Sequence, residues 1–161
     1  MKQLVYLLSS LFIVTLASCS TPADYAEEIM EKASDMEKQT VKITEALVKR
    51  DFEEAEKALS ECQKNTEETL KELQEMKPYG ENDNLRQAGI EFVDFYNNIY
   101  KNEYREAFDI VEKGKNYTDA DAEKVQDIVM SVAAEEKFVK KELIDAFKKF
   151  CRENELIISS R

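Results

Sequence analysis

The chain has no histidine and no tryptophan, and its 161 residues include only three glycines, two prolines and three cysteines. Each shortage removes a class of chemistry. Without histidine there is no Ser-His-Asp or Cys-His nucleophile pair, no His-ligated zinc, no c-type haem attachment and no Glu-x-x-His di-iron site. Gly80, Gly89 and Gly114 stand isolated, so no glycine-rich loop is available to cradle a phosphate. Positive charge is also short: 23 Lys and Arg face 34 Asp and Glu, a net charge of −11. Such a surface repels phosphate backbones and anionic lipid, which argues against nucleic-acid binding. An enzyme is therefore not expected, and the composition implies neither a cofactor nor a resident metal.

Glu, Lys and Ala are plentiful, and with so few turn residues they favour long helices in a single domain. The only extended apolar run opens the chain. In MKQLVYLLSSLFIVTLASC, Lys2 precedes a stretch from Leu4 to Ala17 broken only by Ser9, Ser10 and Thr15, the layout of a secretory signal. It is shorter than the ~20 residues a spanning helix needs, and no stop-transfer charge cluster follows at once. The segment closes on Leu16-Ala17-Ser18-Cys19, which resembles the lipobox of bacterial lipoproteins. The resemblance implies a diacylglyceryl group on the Cys19 thiol, cleavage just before it, and a mature protein held in the cell envelope by membrane lipid. Ser20 stands where Asp is the usual inner-membrane retention signal, so in a Gram-negative cell the implied destination is the outer membrane. Several acyl chains, each worth ~0.8 kcal/mol per buried CH₂, make such an attachment stable. The competing reading is an ordinary secreted protein with Cys19 left as a free thiol. Cleavage removes only Lys2 among the charged residues, taking the net charge from −11 to −12. The expected organisation is a signal peptide over 1–18, an anchor and short tether over 19–24, a helical domain over 25–155 and a tail over 156–161.

Punctuation and periodicity predict four helices. The first begins at Thr21-Pro22, a cap followed by Pro at the first helical position, and stripes Tyr25, Ile29, Ala33, Met36, Thr40, Ile43 and Leu47 along one face. Asp51 caps the second, which runs through Leu59, Cys62, Thr66, Thr69 and Leu73 until Pro78-Tyr79-Gly80 stops it. The third carries Leu85, Phe92, Phe95, Tyr96, Ile99, Glu103, Ala107 and Ile110 to Gly114. Thr118 caps the last, with Val125, Ile128, Val129, Val132, Glu136, Val139, Leu143, Phe147 and Phe150 on its stripe. Short connections between long amphipathic helices make neighbours antiparallel, so the expected fold is an all-α, up-down-up-down four-helix bundle. One local likeness points elsewhere: LVKRDFEEAEKAL and IYKNEYREAFDIV align, and both resemble the D-F-x-x-A turn of tetratricopeptide-like repeats. Their separation does not match a 34-residue repeat, and Glu103 is a poor cap where Asp51 is a good one. The third helix is therefore expected to run unbroken through Glu103.

An antiparallel bundle orders residues by height. Cys62 and Cys151 fall about 35 Å apart along the axis at ~1.5 Å per residue, too far for a disulfide, which needs Cα atoms within about 7 Å. The expectation is a buried free thiol at Cys62 and a partly exposed one at Cys151. Two acids interrupt apolar stripes: Glu103, level with Thr40 and Cys62, and Glu136, level with Lys32, Thr69 and Tyr96. Buried unpaired they would be expensive. They either fix helix register through hydroxyl or ammonium partners, or orient a cationic ligand among aromatic rings. Carboxylates alone suit hard cations, but no EF-hand loop or acidic cage is present. Tyr100, Tyr104 and Phe108 drift off the third helix's stripe and form a candidate partner surface, since such residues anchor interfaces. The expected function is a tethered, non-catalytic binding or interaction module, with a bundle that binds a ligand or metal through buried carboxylates as the alternative. Its expected partners are membrane lipid at Cys19 and an envelope protein.

Overall fold

The computed structural model describes residues 21–49 and 51–157. Cys19, the signal segment before it and residues 158–161 lie outside the described residues. The fold is the expected all-α bundle, built from α1 (Pro22–Val48), α2 (Phe52–Glu75), α3 (Asn84–Lys101), α4 (Glu103–Val111) and α5 (Asp119–Glu153). The described residues form no strand, and no helix among them is long and apolar enough to cross a membrane.

Helix starts follow local chemistry. The Thr21 side chain accepts from the Asp24 N–H at 3.1 Å while the Asp24 carboxylate accepts from the Thr21 N–H at 3.0 Å, and Thr118 and Asp121 repeat this reciprocal cap. Helix α1 begins at Pro22, where its Thr21-Pro22 signal places the start, so residues 22–24 of the expected tether belong to the helix. Asp51 caps α2 by accepting from the Glu54 N–H at 3.1 Å. The far end of α2 is closed from outside the helix. Arg86, gripped by Asp83, donates to the Leu73 and Gln74 carbonyls at 3.1 and 3.2 Å, satisfying acceptors that a helix C-terminus leaves bare. Helix α5 ends in a Schellman arrangement: Leu156 N–H donates to Cys151 O at 2.9 Å, with Glu155 in the left-handed region at φ 54°. Leu156 thereby packs back on the core, so only Ile157 of the described tail stands free in solvent.

The third arm departs from expectation, because it is bent at Asn102 (φ −114°, ψ −76°) instead of running unbroken to Gly114. Hydrogen bonding continues across the bend, from Asn102 N–H to Asn98 O at 3.0 Å and from Glu106 N–H to Asn102 O at 2.8 Å. The Asn102 side chain also donates to Asn98 O at 3.0 Å, and such insertion into the backbone ladder is a recognised cause of kinks. The duplicated sequence pattern thus has a structural counterpart, since the bend at Asn102 falls where the aligned pattern has the break between the end of α1 at Val48 and the start of α2 at Phe52. Two short segments do not make a repeat array, and the architecture remains four arms.

Packing is uneven around the bundle. Helix α1 lies against α2 and also reaches α3, α3 lies between α2 and α5, and α1 touches α5 only sparsely. The close approach of α1 to α3 depends on Gly89, where an added Cβ would fall 2.7 Å from Ile29 Cγ2. Near the α1 N-terminus the four arms close around Tyr25, Ile29, Leu85, Leu143 and Phe150, all buried. Toward the other end α5 is little covered: from Asp119 to Glu142 it contains no fully buried residue.

Candidate binding groove

Three tyrosines one turn apart, Tyr96 and Tyr100 on α3 and Tyr104 on α4, run through the middle of the bundle in tilted and edge-on contact, with centroids 5.9 and 5.7 Å apart. Tyr100 is fully buried; its hydroxyl pairs with Thr40 Oγ1 at 2.7 Å and lies 3.1 Å from Met36 O. Tyr96 donates to the Glu136 carboxylate in a short bond. Burial raises the pKa of all three, for Tyr96 reinforced by the Glu136 hydrogen bond and for Tyr104 by the Glu136 charge, which brings Tyr104 to about 12. These hydroxyls stay protonated at neutral pH and act as fixed donors.

Beside this ladder α1 and α5 part. An ion pair between Lys140 and Glu37 at 2.6 Å marks where they still meet. Beyond it lies an open groove in two adjoining parts, with Glu136 lining both. One part, about 420 Å³, is bounded on α1 by Thr40, Val41, Thr44 and Lys49. The other, about 190 Å³, is a slot between α4 and α5 with Glu103 and Tyr104 on one side and Val129, Val132 and Ala133 on the other. Val41 is 54% exposed, Val129 58% and Met130 63%, so large apolar side chains on the two helices that flank the groove meet water. One Glu103 carboxylate oxygen is shut off from solvent without a hydrogen-bond partner.

Comparison of the chain with protein-family models, with curated proteins and with solved structures finds no match.

The sequence-predicted residues divide among three places. Glu136 and Tyr96 meet as expected, and Thr40 borders the groove close to Glu136. Glu103 shares the slot with Glu136 and Tyr104, so the two acids placed on separate levels border one cavity. Cys62 lies behind Tyr100 on the α2 side, its thiol donating to Gln39 O at 3.7 Å, and burial raises its pKa to about 11. Lys32 does not join the Glu136 layer, because it pairs with Glu72 at 2.5 Å on the α1–α2 surface. Thr69 is half-buried on α2; the fully buried hydroxyl there is Thr66, which donates to Cys62 O at 2.9 Å.

Two expectations are corrected outright. Tyr100 and Phe108 are buried, 0% and 5% exposed, so of the three proposed surface aromatics only Tyr104 borders an opening. Phe108 turns inward because the bend at Asn102 resets the face of α4, seating it against Ala46, Ala55 and Phe52. Cys151 is 3% exposed, covered as the chain folds back after α5. Both thiols are free. Sequence reasoning missed Val41, Thr44 and Met130, and it assigned Val129 to the core. Val41 and Met130 carried a signal, since each is a large apolar residue off its helix's main stripe. Among the described residues no three or more thiol or carboxylate groups come together to hold a metal ion.

Proposed function

We propose that this chain is a lipid-anchored, non-catalytic binding module of the bacterial cell envelope, tethered at Cys19 and sorted to the outer membrane where the cell has one. The groove between α1 and α5 supports the binding part of that reading. Val41 on α1 and Val129 and Met130 on α5 are each a little more than half exposed and forgo roughly half of the ~1.5–3 kcal/mol that full burial of such a side chain is worth, which a partner would recover. The lipobox-like Leu16-Ala17-Ser18-Cys19 supports the tether.

Cys19→Ala tests the tether: the variant is expected to leave the membrane fraction, and a variant that stays membrane-bound would remove the basis for the anchor. Val41→Glu with Val129→Glu tests the groove by pull-down from solubilised envelopes. The pair is expected to lose partners that the wild type retains. Identical recoveries would refute the groove as the binding surface.

A second reading rests on the buried, unpartnered oxygen of Glu103. A carboxylate oxygen shut off from water without a donor is costly, and a cation arriving between Glu103 and Glu136 would satisfy it. The bundle would then serve as a site for a cationic ligand or metal ion.

A further inference from the structure

The two halves of the groove call for different chemistry from one occupant. Its α1 side, lined by Glu37, Thr40, Val41, Thr44, Glu45 and Lys49, exposes Val41 and spans about three turns, roughly 18 Å, while on α5 Val129 and Val132 line the adjoining slot. That length is enough for an amphipathic helix to present apolar residues at i, i+3/i+4 and i+7, a span of about 10 Å. The adjoining slot is smaller, about 190 Å³, and carries the two carboxylates of Glu103 and Glu136. Around it the lysines are already engaged: Lys140 by Glu37, Lys49 by Glu45 and Lys124 by Glu106. Glu103 and Glu136 have no cationic partner among the described residues; Glu136 holds only the Tyr96 hydroxyl, and Glu103 has its sheltered oxygen free. The charge missing from the site is positive, and the whole chain is acidic at −11.

We propose that the groove receives one basic amphipathic helix of a protein partner, which lays its apolar stripe between Val41 and Val129 and inserts a lysine between Glu103 and Glu136. This rests on the reading of the chain as a binding module and names the occupant of its groove. A lysine suits the slot because its ammonium is a compact donor on a slender apolar stem, and the stem passes Val129 and Val132 before the charge reaches the carboxylates. A free amine would satisfy the acids but leave Val41, Val129 and Met130 in water.

The test uses the full chain carrying Cys19→Ala and a fluorescent, designed amphipathic peptide of roughly three heptads with one lysine at the centre of its apolar stripe. A second peptide has norleucine there. Anisotropy is expected to show the lysine peptide binding at least tenfold more tightly, an advantage that Glu103→Gln largely erases. Val129→Glu abolishes binding of both peptides while the circular dichroism stays helical. Equal binding of the two peptides would overturn the proposal, as would a lysine preference that survives Glu103→Gln. Pentane-1,5-diamine that displaces the peptide at the peptide's own concentration would replace the helix with a small amine as the occupant. A photo-crosslinker at Val41 in intact envelopes separates the two levels. A captured partner that the lysine peptide cannot displace sinks the helix and its lysine but keeps the binding module; no capture and no peptide binding sink both.

Discussion

The bundle has a closed end and an open end. At the closed end Tyr25, Tyr79 and Phe150 pack with ring centroids 5.5–5.7 Å apart, Gly89 lets α3 approach Ile29, and α5 buries Leu143, Phe150 and Cys151. At the open end Tyr100 and Tyr104 fill the middle, and the same α5 buries nothing fully before Leu143. Small residues at the closed end, Ala26, Ala33 and Gly89, let helices approach around its rings, while at the open end Tyr100 reaches α1 through Thr40 and Tyr96 reaches α5 through Glu136. Stability therefore resides at one end and accessible chemistry at the other, as expected when binding surfaces are drawn from the less consolidated parts of a fold.

Substitutions that sharpen this contrast are ordered by size. Phe150→Ala removes a buried ring from the closed end and should cost about 3–5 kcal/mol in denaturant unfolding; a loss below about 1 kcal/mol would show that this end is not the consolidated one. Gly89→Ala forces Ile29 to move, and overpacking of about 1–3 kcal/mol should outweigh the helix-propensity gain of up to ~1 kcal/mol. A midpoint that rises would instead show slack between α1 and α3.

The tyrosine ladder gives a pH signature. Its folded pKa values are raised, so its contribution is complete below the unfolded value near 10 and is lost as pH rises through the folded values. Unfolding free energy should fall above about pH 10 by ~1.4 kcal/mol per pH unit for each tyrosine kept protonated. For Tyr104 the window runs from about 10 to about 12, and Tyr104→Phe should make the slope shallower by that amount; an unchanged slope would contradict its burial.

The smaller effects lie on the exposed stretch of α5 and just past its end. Glu155→Gly relieves a left-handed backbone at the helix terminus and should stabilise by roughly 0.5–1 kcal/mol, whereas a destabilised variant would mean that the Glu155 side chain contributes more than its backbone strain costs. Val129→Ser should shift stability by less than about 0.5 kcal/mol, because the side chain is already in water. A loss near 2 kcal/mol would show the groove closed in solution.

Much of this was legible in the sequence because it is local. Thr21, Asp51 and Thr118 announce helix starts through caps that involve only the next three residues, and the three- and four-residue steps of Ile29, Ala33 and Met36 mark a buried face whatever lies across from it. The Tyr96–Glu136 pair was legible as well, since an antiparallel bundle converts residue counts into heights. The bend at Asn102 was not, because a duplicated pattern with a poor cap reads equally as a break or as a continuous helix. Phe108 was misassigned for that reason, as its direction depends on the bend before it.

Sequence alone determined the helices, their antiparallel order, the want of histidine chemistry and the acidic surface, all of which follow from composition and short-range spacing. Tertiary structure decided where α1 and α5 separate and that Glu103 and Glu136 border one slot. It also decided that Val129, on a core stripe by periodicity, faces water. Periodicity specifies the face a helix offers, but whether that face is covered depends on how closely its neighbours approach, and here α1 and α5 meet only sparsely.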